Sequence, residues 1–115
     1  MKQVALVAFN GEAMCFVHVL LNALDMHEKG FQVKVVIEGA AVKTVNELNN
    51  DSHPFNKIYR EVCDKGLIDC VCQACAAKLG ALDGIKEQQL PLNNEMLGHP
   101  SLAGFIEQSF QVITF

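Results

Sequence analysis

Two hydrophobic rhythms run along this chain. Residues 2–9 (KQVALVAF), 31–38 (FQVKVVIE), 67–72 (LIDCVC) and 111–115 (QVITF) are short, Val- and Ile-rich runs. Such runs read as strands covered on both faces, as in a parallel sheet. Between them lie longer stretches with apolar residues at helical spacing. Residues 12–29 contain no Gly or Pro and predict a helix, with Glu12 in the first turn, His27 and Lys29 in the last, and Gly30 closing it. Ala13, Met14, Phe16, Val17, Leu20, Leu21 and Leu24 cover more than one stripe of that helix, so part of its surface is expected to meet another subunit.

Shorter elements follow. Residues 41–49 predict a helix, and Asp51-Ser52 is expected to cap another, with Pro54 in its first turn and Gly66 at its end. A helix from Ala74 to Leu79 stops at Gly80, residues 82–88 are partly helical, and 89–92 form a brief strand. Pro100 opens a last helix through about Phe110. Polar Gln32 and Lys34 share one face of the second strand, which places that strand toward a sheet edge. Strands alternating with helices imply an α/β fold: a mainly parallel five-stranded sheet flanked by helices on both faces, as a single domain over residues 1–115.

Composition narrows the function. Half the residues are hydrophobic and 19% are charged, which excludes a disordered tail. Nine Lys and Arg stand against thirteen Asp and Glu, a net charge of −4, and no basic residue follows Lys86. An acidic surface without a basic stripe excludes nucleic acid and anionic membrane as partners. No apolar run approaches the ~20 residues of a membrane span, and VALVAF is too short for a signal core. A cytoplasmic protein is expected. Its cysteines, Cys15, Cys63, Cys70, Cys72 and Cys75, are odd in number, so a disulfide framework is not expected.

Ligands of an open parallel sheet bind beyond the carboxyl ends of its strands. That rule gathers Asn10-Gly11-Glu12, Glu38-Gly39, Cys72-Gln73-Ala74-Cys75 and Gly98-His99-Pro100 on one side. The strongest local feature is C-V-C-Q-A-C at 70–75. Cys70 and Cys72, two apart on a strand, should face the same way. Cys75 falls in the first helical turn, where backbone N–H groups favour a thiolate. It is the candidate nucleophile, with Cys72 as a resolving partner. Cys70, Cys15 and Cys63 read as structural.

Other chemistries compete for the same residues. C-x-x-C is half a zinc site, but no second C-x-x-C or H-x-x-x-H is present, so His18 or His99 would have to complete it; no metal is assigned. A thioredoxin-like reading is weak, because the motif follows two βα units instead of opening the fold. No G-x-G-x-x-G, Walker loop or G-x-S-x-G elbow occurs, and no cofactor is expected. Glu38 ends a strand and faces the cysteine loop as a proton acceptor or metal ligand, or is merely solvated. His18 and His99 shape the cleft, or serve as an interface histidine and a helix cap. Asn10 and Gly11 can present N–H groups to an anion.

With HVLLNALDMHEKG, VKVVIEG, GLIDCVCQACAAKLGA and GHPSLAGFIEQSFQVITF, the chain resembles the DsrE/DsrF-like family of small sulfur-relay proteins over nearly its whole length. The resemblance implies an α/β fold with a mainly parallel five-stranded sheet, assembled as a homotrimer or homohexamer. It also implies sulfur carried as a persulfide on one cysteine and passed between donor and acceptor proteins. By position that cysteine is Cys75; Cys70 and Cys72 depart from the family pattern. The expected function is thus a sulfurtransferase or sulfur carrier. Cys75 would bear the persulfide and Cys72 would resolve or protect it, with Glu38, His18, His99, Asn10 and Gly11 around the cleft. The competing class is a non-catalytic oligomeric module that binds a small ligand, metal or protein at the same edge.

Overall fold

The computed structural model describes residues 1–115. Its strands are β1 (Gln3–Ala8), β2 (Gln32–Ile37), β3 (Ile68–Cys72), β4 (Leu92–Asn93) and β5 (Gln111–Thr114). Its helices are α1 (Ala13–Glu28), α2 (Ala41–Leu48), α3 (Asn56–Asp64), α4 (Gln73–Lys78), α5 (Leu82–Glu87) and α6 (Leu102–Glu107). All five strands are parallel, in the order β4-β3-β2-β1-β5.

This order decides which face each helix covers. From β1 the chain steps outward to β2, β3 and β4 in one direction, and right-handed crossovers then put α1 to α5 on a single face. The return from β4 to the opposite edge at β5 reverses direction, so α6 lies on the other face. Packing agrees. Val4, Leu6 and Ala8 of β1 and Val33, Val35 and Ile37 of β2 join Phe16, Leu20, Val45, Tyr59, Ala76 and Ile85 in a core of 23 buried residues. The alternate positions Ala5, Val7 and Val36 pack with Cys70, Phe105 and Phe110 in a cluster of only 6. Most of the hydrophobic stabilisation therefore lies on the five-helix side. There Tyr59 is wholly buried, and its hydroxyl donates to Gln88 Oε1. Gln88 in turn donates to Asn46, and Asn46 to the Ala81 carbonyl, both at 2.9 Å, so one polar chain joins α2, α3 and α5.

Several sequence expectations are corrected. β2 lies at the centre of the sheet, not toward an edge. Lys34 is tolerated there because it faces the thinly covered side. Its Nζ lies 3.7 Å from Asp69 and 4.9 Å from the centre of the Phe110 ring. The register slips between Val35, opposite Ile68, and Val36, opposite Cys70, so Asp69 is the extra residue of a bulge. Asp51-Ser52 do not cap a helix. They lie in turns, with Ser52 bonded to Asn50, and α3 begins only at Asn56. The last helix runs Leu102–Glu107, shorter than expected, because Ser109 turns to φ 69° before β5. No helix is long and apolar enough to cross a membrane.

Candidate functional site

The end of β3 builds the first half of the site. Cys72 has extended backbone angles and caps α4: the N–H of Cys75 donates to its Sγ at 3.4 Å. The three-residue step across this first turn brings the two sulfurs to one spot. Cys72 is fully buried, whereas Cys75 is partly exposed.

The second half arrives from the loop after β4. Met96 and His99 exchange backbone hydrogen bonds of 2.7 and 2.9 Å around a two-residue turn. Both turn residues have positive φ, Leu97 at 49° and Gly98 at 95°. Turns of this hand ask for Gly or Asn, so Leu97 is held against its preference, and its side chain is 98% exposed. Gly98 has a second reason to be Gly: an added Cβ would sit 2.8 Å from the Ala74 Cβ. Its carbonyl accepts the Ala74 N–H at 2.9 Å, pinning the turn onto the start of α4. His99 is thereby delivered to the cysteines, with Nδ1 3.0 Å from Cys72 Sγ and 3.8 Å from Cys75 Sγ. One ligand atom from each residue lies within 4.8 Å of the others.

Burial sets the electrostatics. It pushes the Cys72 thiol up to about 11; the Cys75 backbone N–H works against the shift, while the Cys75 thiol and the Glu38 charge add to it. Cys72 is therefore a neutral thiol at neutral pH. Glu38, 7% exposed just after β2, has its carboxyl raised by burial, and the nearby His99 charge draws it partly back. Burial raises Cys70 further, above the ordinary thiol range, with the Asp69, Glu38 and Glu95 charges adding to it.

Not every sequence-designated residue joins this cluster. Cys70 and Cys72 do not share a side: Cys70 packs in the smaller cluster and Cys72 in the larger. Strand alternation ends where the backbone of Cys72 turns into α4. Asn10 and Gly11 brace the loop through a side chain and a carbonyl. Asn10 Oδ1 accepts the Glu12 N–H at 2.9 Å, and the Gly11 carbonyl accepts the Thr44 hydroxyl at 2.7 Å. His18 is exposed on α1 beside Met14 and Leu21 and contributes nothing to the three-residue cluster. Cys15 lies within α1, and Cys63 packs against the larger core with its thiol raised by burial. The positioning pair Gly98 and Ala74 escaped the sequence reading. Gly98 was visible in Gly98-His99-Pro100, but nothing local says which helix the turn touches.

Two thiols and one imidazole at a point form a soft, mixed donor set. Such a set can hold sulfur, close a disulfide or ligate a metal ion. Comparison with known proteins narrows the setting. The family model described as the DsrE/DsrF-like family matches residues 4–115. An uncharacterized protein of Methanocaldococcus jannaschii is 34% identical over 96 residues, 84% of this chain and 76% of that protein. An uncharacterized protein of Archaeoglobus fulgidus is 38% identical over 40 residues, 35% of this chain and 66% of that protein. Among solved structures, a conserved protein of unknown function from Bacteroides thetaiotaomicron superposes with a TM-score of 0.65, covering 96% of this chain and 94% of that one. At 16% identity that likeness speaks for the fold alone.

Proposed function

The chain belongs to the DsrE/DsrF-like family, and from that premise we propose that it is a sulfur carrier holding a persulfide on Cys75. The observation that carries this reading is the pairing of a partly exposed thiol, Cys75, with an imidazole nitrogen 3.8 Å away and a second, buried thiol beside it. Family membership supports sulfur-relay chemistry in general; the assignment to Cys75 is the step added here.

Loading needs no cofactor. The Cys75 thiol gives its proton to the His99 imidazole, and the thiolate attacks the terminal sulfur of a donor persulfide. A Cys75–sulfur bond forms, the donor S–S bond breaks, and the donor leaves as a thiolate that takes up a proton. Delivery is the reverse exchange with an acceptor thiolate. Cys72, protonated at neutral pH, stands by the persulfide without attacking it. The acceptor and donor are proteins, and the setting is the reducing cytoplasm, where free thiols persist. Copies assemble as a trimer or hexamer through α1, whose Met14 and Leu21 are exposed.

The test is intact mass after incubation with a persulfide donor. Wild type is expected to gain one sulfur and Cys75→Ser none. Equal gain by both removes Cys75 from the role. Failure of both to load, with a donor that loads a control carrier, turns the reading to a binding module at the same edge.

A further inference from the structure

We propose that Cys72, Cys75 and His99 form a binding site for a zinc-class divalent ion, with a fourth coordination position open to an outside ligand. The Cys72-x-x-Cys75 half-site lacks a second half anywhere along the chain. The fold supplies one donor from 24 residues away, on a turn held in place by Gly98 and Ala74.

Donor geometry comes first. Zinc–sulfur and zinc–nitrogen bonds of about 2.3 and 2.1 Å put neighbouring tetrahedral donors about 3.5–3.8 Å apart. His99 Nδ1 lies 3.0 Å from one sulfur and 3.8 Å from the other, values that straddle that spacing. Hydrogen bonding engages Cys72 Sγ, which donates to the Gly98 carbonyl at 3.6 Å and accepts the Cys75 N–H at 3.4 Å, but it leaves the imidazole shared between the two sulfurs. One ring nitrogen has a single lone pair or a single proton, yet it faces two sulfurs. An ion between the three atoms satisfies them together.

The surroundings fit as well. Cys75 and His99 are partly exposed, so one side of the cluster stays accessible. Three protein donors with an open fourth position characterise zinc that exchanges ligands, as opposed to zinc that only holds a fold. Binding displaces a proton from each thiol, leaving two thiolates and a neutral imidazole on the ion.

This inference stands apart from the sulfur-carrier reading, because zinc and a persulfide compete for the same Cys75 sulfur. The test titrates chelator-stripped full-length protein with zinc(II) against a chromophoric chelator, and separately with cobalt(II) to read thiolate-to-metal charge transfer. Wild type is expected to bind one equivalent, with a two-thiolate cobalt spectrum. Cys75→Ser and His99→Ala should lose stoichiometric binding while keeping the wild-type far-ultraviolet circular dichroism. Cys75 is partly exposed, so its variant decides the matter if His99→Ala fails to fold.

Absence of stoichiometric binding by wild type overturns the inference. So does binding that survives Cys75→Ser unchanged. Intact-mass loading of the same samples separates the two readings. Zinc binding without sulfur uptake by the metal-free protein defeats the carrier alone, and uptake without zinc binding defeats the metal site alone. If both hold, zinc-loaded protein should resist sulfur loading.

Discussion

The loops after β1 and β3 leave the same edge of the sheet and do opposite work. After β1, the Asn10 side chain holds the Glu12 N–H, and the Gly11 carbonyl takes the Thr44 hydroxyl. Gly11 is packed so closely on Ala40 that an added Cβ would come within 2.9 Å of the Ala40 Cβ. After β3, the backbone is equally well held, through Ala74 and Gly98, but the side chains at its tip are two thiols and an imidazole facing one another. One loop uses the Asn10 side chain and the Gly11 carbonyl for bracing. The other is braced by its backbone and by Cys72 Sγ, and brings Cys75 Sγ and the His99 ring alongside that sulfur.

That contrast can be broken from either side, and the largest effect is expected on the β3 side. Gly98→Val places a branched side chain at φ 95° and against Ala74. It should cost about 3 kcal/mol in urea unfolding and abolish both sulfur loading and zinc binding, by moving His99 away. Full retention of either activity would show that the turn does not position the site.

Next comes thiol reactivity. With Cys72 held at about 11 against an ordinary value of 9.0, its thiolate fraction near pH 8 falls by about 100-fold. Peptide mapping after brief alkylation should find Cys75 labelled and Cys72 spared, with Cys72 labelling rising only as the pH approaches 11. The sign follows from burial favouring the neutral thiol. This contribution to stability is complete below the unfolded thiol's value and is lost as pH rises through the folded one.

On the β1 side, Gly11→Ala should destabilise by about 2 kcal/mol through its clash with Ala40. Thr44→Val, which strands the Gly11 carbonyl, should cost about 1 kcal/mol. Both are expected to leave sulfur loading unchanged in the folded protein, and a loss of loading would erase the distinction between the loops. The smallest effect is a titration. His99→Ala removes the positive charge that draws Glu38 down, so the Glu38 carboxyl should titrate higher still by NMR. An unchanged value would place Glu38 outside the influence of the cluster.

Legibility differed by element. The long apolar rhythms of α1, β1 and β2 were readable because every residue votes for the same period. The start of α3 was not, because Asp51-Ser52 look like a cap while Asn50 accepts from the Ser52 backbone N–H and hydroxyl, closing an Asx-type turn. Lys34 misdirected the placement of β2. A lysine in a strand signals exposure, and here it reaches out through the side that α6 alone covers, to Asp69. At the site, C-x-x-C before a helix was visible in one stretch of chain. The reading that Cys70 and Cys72 share a side failed, because Cys72, the last residue of β3, already caps α4 and packs with the larger core.

The sequence alone determined the alternation of strands and helices, the family, and the cysteine pair that a helical first turn must bring together. These rest on local periodicity and short spacings, which the backbone obeys wherever it lies. Only the tertiary structure decided that β2 is central, that the Asn10 side chain and Gly11 carbonyl brace the first loop, and that His99 approaches the cysteine pair while His18 does not. Those outcomes depend on which edges meet after the chain returns from β4 to β5. The 3.0 Å approach of His99 to Cys72 depends on its neighbour Gly98 packing against Ala74, a contact between distant parts of the chain.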